Sequence, residues 1–180
     1  MRCSCIMKTE NIENYLNSFG KQVVNRAKGN LQKAKGGGTK LESSIRFEVV
    51  SDADGFKIQF FMENYGTFVD KGVSGNKIER KYKDYKGQVK SSPYKFTNKQ
   101  PPSRVLDKWI VKKGIAPRDE KGRFMSRKSI SFLIARSIKI KGLQGISFFQ
   151  KPLMLGMKQF EKNLLGSVKE DIIEGITLIK

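Results

Sequence analysis

Ile45-Arg46-Phe47-Glu48-Val49-Val50-Ser51-Asp52-Ala53-Asp54-Gly55-Phe56-Lys57-Ile58-Gln59-Phe60-Phe61-Met62 decides the fold class. Ile45, Phe47 and Val49 alternate with Arg46 and Glu48, and Phe56, Ile58, Phe60 and Met62 alternate with Lys57 and Gln59. A period of two turns one side of each run to a core and the other to water, as in half-buried strands. Ser51–Gly55 between the runs is turn chemistry, so the segment predicts an antiparallel hairpin. Asp52 and Asp54 read as turn-forming carboxylates beside a glycine rather than as a metal pair.

Helical periodicity lies on both sides of the hairpin. Upstream, Ile12, Tyr15, Leu16, Phe19, Val23, Ala27 and Leu31 recur at three- and four-residue steps and predict a helix from residue 9 to about 35. Thr9 or Asn11 can cap it, and Gly36-Gly37-Gly38 ends it; glycines that close a helix are a flexible C-terminal cap, not a phosphate cradle. Downstream, Ser103 is expected to cap a short helix whose inner face is Leu106, Trp109 and Ile110, ended by Gly114. Ile130, Leu133, Ile134 and Ile138 predict a helix over about 127–141 ended by Gly142. Leu153, Met157, Phe160, Leu164, Val168 and Ile172 predict a last helix from about Lys151 to Glu174, after which Ile176, Leu178 and Ile179 form a short strand or an apolar tail. The order implies an α+β fold: a small antiparallel sheet packed with long N- and C-terminal helices, plus an inserted basic loop and two shorter helices. Residues 1–8 are expected to be a tail, of which 1–6 look dispensable, and 9–180 a single domain with an extended basic loop at about 74–102.

Charge is the strongest compositional signal. The formal net charge is +19, and between Lys71 and Lys141 there are 21 Lys/Arg against 5 Asp/Glu, a net +16. Such an excess calls for an anionic partner, either nucleic acid or an acidic protein surface. No apolar run approaches the ~20 residues of a membrane span, and no membrane is expected as a partner. There is no histidine, so imidazole acid–base steps, His-containing triads and His-metal sites are excluded. Cys3 and Cys5, the only cysteines, are too few for a closed metal site. No Walker loop, dinucleotide fingerprint or nucleophile elbow is present. Glu63, Asp70 and Lys71 match no nuclease spacing. Neither an enzyme nor a cofactor is expected.

Two further segments carry a resemblance. Tyr65-Gly66-Thr67-Phe68-Val69-Asp70-Lys71-Gly72 follows the hairpin, and Gly145-Ile146-Ser147-Phe148-Phe149-Gln150-Lys151-Pro152-Leu153 leads into the last helix. Together they resemble the paired signature of the head–tail joining or tail-completion proteins of tailed bacteriophages. There a Tyr-x-x-Phe/Tyr-Val-Asp/Glu-x-Gly segment follows a hairpin, and a Pro-Phe-Phe/Leu-type segment opens the last long helix. The order of elements agrees over much of the chain. This chain departs from the pattern in having Val69-Asp70-Lys71-Gly72-Val73 where the family often has Val-Glu-x-Gly-Thr, and in a longer insert between the two segments. The resemblance implies a structural virion protein in rings of six or twelve around the DNA channel, joining the portal or adaptor to the tail. It would be found in the neck or tail of the virion, and in host cytoplasm during assembly. Tyr65, Phe68 and Val69 would pin the hairpin exit to the core, with Asp70 in the same segment and Gly66 and Gly72 turning the backbone. Phe148, Phe149 and Pro152 would anchor the start of the last helix.

In that setting the basic loop, with Lys77, Arg80, Lys81, Lys83, Lys86, Lys90 and Lys95, would face genomic DNA in the channel or clamp an acidic neighbouring ring. Tyr82, Tyr85 and Tyr94 among these lysines suit base stacking or interface anchoring. Sliding DNA should not be gripped base by base, which favours the protein interface. Two rivals remain. A stand-alone basic nucleic-acid-binding protein would show steep salt dependence; against it, no helix-turn-helix, RRM, KH or zinc-finger signature is present, and the link between the two short helices is too long for a helix-turn-helix. Another virion part, such as a tail terminator, is the second.

Overall fold

The structure, a computed structural model, describes residues 9–52 and 55–177. The expected tail with Cys3 and Cys5, the turn residue Asp54, and Leu178-Ile179 lie outside the described residues. The fold is α+β as expected, and the chain divides into two compact units. The first comprises the described residues up to Gly66, residues 83–88, and those from Ser147 onward; the second comprises 67–82 and 89–146.

In the first unit, helix α1 spans Glu10–Lys35, and Ile12, Leu16, Phe19, Val23, Ala27 and Leu31 of its predicted stripe are buried. Gly36 ends it with φ 81°, its N–H donating to Gln32 O at 2.8 Å. A five-residue helix that the sequence did not signal, α2 (Lys40–Ser44), follows; the Thr39 side chain caps it by accepting Glu42 N–H at 3.2 Å. Strands β1 (Arg46–Asp52) and β2 (Gly55–Phe61) form the predicted hairpin, with Val49 opposite Ile58 and Asp52 opposite Gly55. Asp52, the last residue of β1, pairs with Lys57 at 3.1 Å across the hairpin. The closing element, α6, covers Gln150–Thr177. Ile176 is therefore its last turn rather than part of a strand.

Aromatic rings tie these elements together. Phe149 meets Phe60 edge-on at 5.2 Å, and Phe160 meets Phe19 edge-on at 4.7 Å. Such pairs add about 0.5–1.5 kcal/mol each beyond the area they bury. Gly20 lets α1 come so close to the hairpin that a Cβ there would fall on the Phe47 ring.

The second unit begins within helix α3, Gly66–Lys71, an unexpected helical form for the first motif segment. Strand β3 (Val73–Ser74) pairs antiparallel with β6 (Gly142–Leu143), Val73 lying opposite Leu143. Strands β4 (Lys81–Lys83) and β5 (Val89–Ser91) make a second two-stranded ribbon. Helices α4 (Ser103–Lys112) and α5 (Arg127–Lys141) carry most of the rest. Ser126 caps α5 by accepting Ser129 N–H at 3.2 Å, and Gly142 ends it with φ 71°. Ser103 does not cap α4, whose N-cap position is Pro102 and makes no side-chain bond.

The segment expected as an extended loop, 74–102, is instead tied down through Ser74. Its N–H donates to Tyr94 O at 2.8 Å, its carbonyl accepts Phe96 N–H at 2.9 Å, and its hydroxyl accepts Arg80 N–H at 3.0 Å. Strands of two or three residues are too short to display a period, so nothing local announces them.

Candidate functional site

The motif residues behave differently from the core pins expected. Tyr65 and Phe68 are each 44% exposed. A one-and-a-half-turn helix cannot turn every apolar residue inward; α3 spends its inner face on Gly66 and Asp70, both buried. Gly66 sits where a Cβ would lie 2.8 Å from Leu41 Cδ1 and from Met62 Sδ, so its role is close approach rather than a sharp turn. Phe68 packs against Tyr94 with ring centres 4.1 Å apart and the rings tilted by 47°, and Tyr94 Oη bonds Thr67 Oγ1 at 2.9 Å. Val69 O accepts Ile146 N–H at 3.0 Å. Gly72 does turn the backbone, with φ 77°, and its carbonyl accepts the Ser92 hydroxyl at 2.6 Å. Phe148, Phe149 and Pro152 are buried at the entry to α6, as expected.

The lysines and tyrosines singled out in 74–102 are divided between the two units. Lys83, Tyr85 and Lys86 belong to the first unit, and Lys77, Arg80, Lys81, Tyr82, Lys90, Tyr94 and Lys95 to the second. Arg80 is a strut: its Nε donates to Lys141 O at 2.9 Å and its Nη1 to Gln144 Oε1 at 3.2 Å. Tyr94 is committed to Phe68 and Thr67, and Tyr82 lies under the Lys71 ammonium, 5.6 Å from its ring centre. Tyr85 is exposed beside Lys86, whose ammonium is 5.7 Å from its ring centre. Lys77 and Lys95 line a small depression of about 310 Å³ shared with Glu79, Ser74 and Ser92.

A second set of cations gathers on α4 and α5. Ser103, Arg104, Asp107 and Lys108 of α4 and Arg127, Lys128 and Ser131 of α5 line a groove of about 570 Å³. Arg127 Nη1 stands 3.9 Å from Asp107 Oδ2, a long and solvent-exposed pairing of small worth. The Ser131 hydroxyl is turned back to Arg127 O at 2.8 Å. Beyond the end of α4, Asp119 Oδ1 accepts the N–H groups of Lys121 and Arg123 at 3.0 and 2.8 Å and folds a tight basic turn. Arg118 covers the exposed Phe124 ring at 4.0 Å. Sequence reasoning passed over the groove because its two pairs of cations, Arg104 with Lys108 and Arg127 with Lys128, lie on separate helices. The available signal was a pair of helices whose first turns contain no acidic residue.

Apolar surface is also exposed. In the first unit a groove of about 470 Å³ opens between Phe56 and Ile58 of β2, Leu16 of α1, and Met157, Leu164 and Val168 of α6. Only Pro152 and Asp171 of the 28 residues of α6 are buried, while Leu165 is 63% and Ile176 65% exposed. On α4 and α5, Trp109 and Leu133 are half exposed rather than inner-face residues. Among the described residues no three metal-ligating side chains are grouped to hold an ion, and no helix is long and apolar enough to cross a membrane. No family model, curated protein or solved structure matches the chain.

Proposed function

We propose that the protein is a structural subunit of a tailed-phage virion, part of the neck ring that joins the portal or adaptor to the tail, and that it works by assembly rather than by catalysis. The observation that carries this reading is α6: a 28-residue helix, about 42 Å long, with Leu155, Leu165, Ile172, Ile173 and Ile176 exposed. Single exposed apolar side chains are ordinary. Several on one terminal helix, with Trp109, Phe132 and Leu133 exposed on α4 and α5 as well, suit a subunit whose remaining faces are covered by neighbours. The paired segments Tyr65–Gly72 and Phe148–Pro152 support the neck assignment through their order around the hairpin and the last helix.

Quantitative mass spectrometry of purified particles, counting this chain against the major capsid protein, tests the proposal. A ratio equivalent to six or twelve copies per particle is expected; absence from particles overturns it. A second reading, a stand-alone nucleic-acid binder, draws on the α4–α5 groove and predicts that the chain stays off particles.

A further inference from the structure

We propose that the groove between α4 and α5 seats the phosphodiester backbone of double-stranded nucleic acid, without reading base sequence. The inference does not depend on the neck-ring reading and stands or falls separately from it. Arg104, Lys108, Arg127 and Lys128 face one concave surface of about 570 Å³ that contains a single carboxylate, Asp107. The unit to which they belong carries 19 Lys/Arg against 5 Asp/Glu, a net +14. Like charge gathered this way is self-repulsive in a lone domain. Contact with a polyanion reverses the penalty, because each neutralised phosphate releases condensed counterions.

Lining chemistry separates nucleic acid from an acidic protein. Apart from Asp107, every residue lining the groove is Arg, Lys or Ser, side chains that donate to phosphate and sugar oxygens, and no apolar residue provides the dry centre of a protein interface. No aromatic ring lines the groove, which disfavours a single strand held by stacked bases. The floor is helical on both sides, α4 and α5, so the cations stand on rigid elements. The helix N-termini add a positive field to these side chains but are not the basis of the assignment.

The test is fluorescence anisotropy of the full chain with a labelled mixed-sequence DNA duplex over a range of salt concentrations. The variant Arg104→Ala/Lys108→Ala/Arg127→Ala/Lys128→Ala is compared with Lys151→Ala/Lys158→Ala/Lys162→Ala/Lys169→Ala, which removes equal charge from exposed positions of α6. The groove variant is expected to lower the log–log salt slope by about 3 to 4, at about 0.9 per phosphate contact, and to bind at least about tenfold more weakly. The α6 variant is expected to keep the parent slope. If the groove variant does not melt cooperatively, Arg104→Gln/Lys128→Gln replaces it, with an expected slope loss of about 2. Absence of duplex binding by the parent chain, equal slopes for both variants, or displacement of the duplex by poly-glutamate at equal charge concentration would each overturn the proposal; the last outcome assigns the groove to an acidic protein.

Discussion

Asp171 closes the start of α1 through Ile12: its Oδ2 accepts the Ile12 N–H at 3.0 Å across 159 residues of chain, while Oδ1 takes the Asn11 N–H at 3.0 Å. These are first-turn donors with no partner inside their own helix. Thr9, at the N-cap position, leaves them free and donates its hydroxyl to Glu13 instead, at 3.3 Å. Asp171 is 0% exposed, so the two bonds are made away from water. Asp171→Ala should cost about 2 kcal/mol of stability, and Asp171→Asn, which keeps one acceptor oxygen, about half of that. Urea melts decide it; an Ala variant as stable as the parent would show that the bonds contribute nothing net.

Surface changes on α6 should divide assembly from folding. Ile173→Glu/Ile176→Glu alters residues that are half or more exposed, so monomer stability should move by no more than about 1 kcal/mol. If neighbours cover this helix, the same variant should fail to enter particles or rings, as read by sedimentation or native mass spectrometry. Unimpaired assembly would remove α6 from the interface.

Gly72→Ala probes the motif directly. With φ 77° and a would-be Cβ 2.5 Å from Gly145 N and 2.7 Å from Leu143 O, the site has neither the backbone freedom nor the room for a side chain. The left-handed conformation alone costs about 1–3 kcal/mol, and the close backbone contact adds to it. A loss of at least about 2 kcal/mol in the thermal unfolding of the variant is expected.

Tyr15 gives a pH signature. Burial pushes its phenol above the ordinary 10.0, against a lowering hydrogen bond with Asn163. The folded chain therefore keeps this proton where the unfolded chain has released it. The associated stability is complete below pH 10.0 and is lost as pH rises toward the folded-state value. Tyr15→Phe lacks this loss, so the stability difference between parent and variant should shift in favour of Phe between pH about 9 and about 11 in denaturant melts. A pH-independent difference would contradict the shift.

The two longest helices, the hairpin and α5 were legible because each declares itself locally. Ser126, then Ile130, Ile134 and Ile138, then Gly142 give a cap, a stripe and a stop for α5. Which face of an apolar pattern is covered is not a local property. Trp109, Leu133, Tyr65 and Phe68 have suitable spacing yet stay half exposed. Pairing of β3 with β6 joins residues about seventy positions apart through two-residue strands and leaves no period to detect. The basic groove was hidden for the same reason: Lys-rich 77–95 drew attention by density, whereas Arg104, Lys108, Arg127 and Lys128 meet only once α4 and α5 have formed. Asp171 had the appearance of one more solvated charge on a helix, and only the fold shows that it is a cap.

The interruption of the first unit by residues 67–146 shapes how a ribosome delivers it. α1 and the hairpin emerge early, and Phe148, Phe149 and α6 follow only after the intervening segment has been made, roughly 4–16 s later at about 5–20 residues per second. Through that interval Leu16, Phe19 and Phe60 have no α6 to pack against, and their apolar surface stays uncovered until the last segment is made. The inserted unit, contiguous apart from 83–88, has no such wait, and its fold can be complete while the stretch of the first unit from Ser147 onward is still to be made.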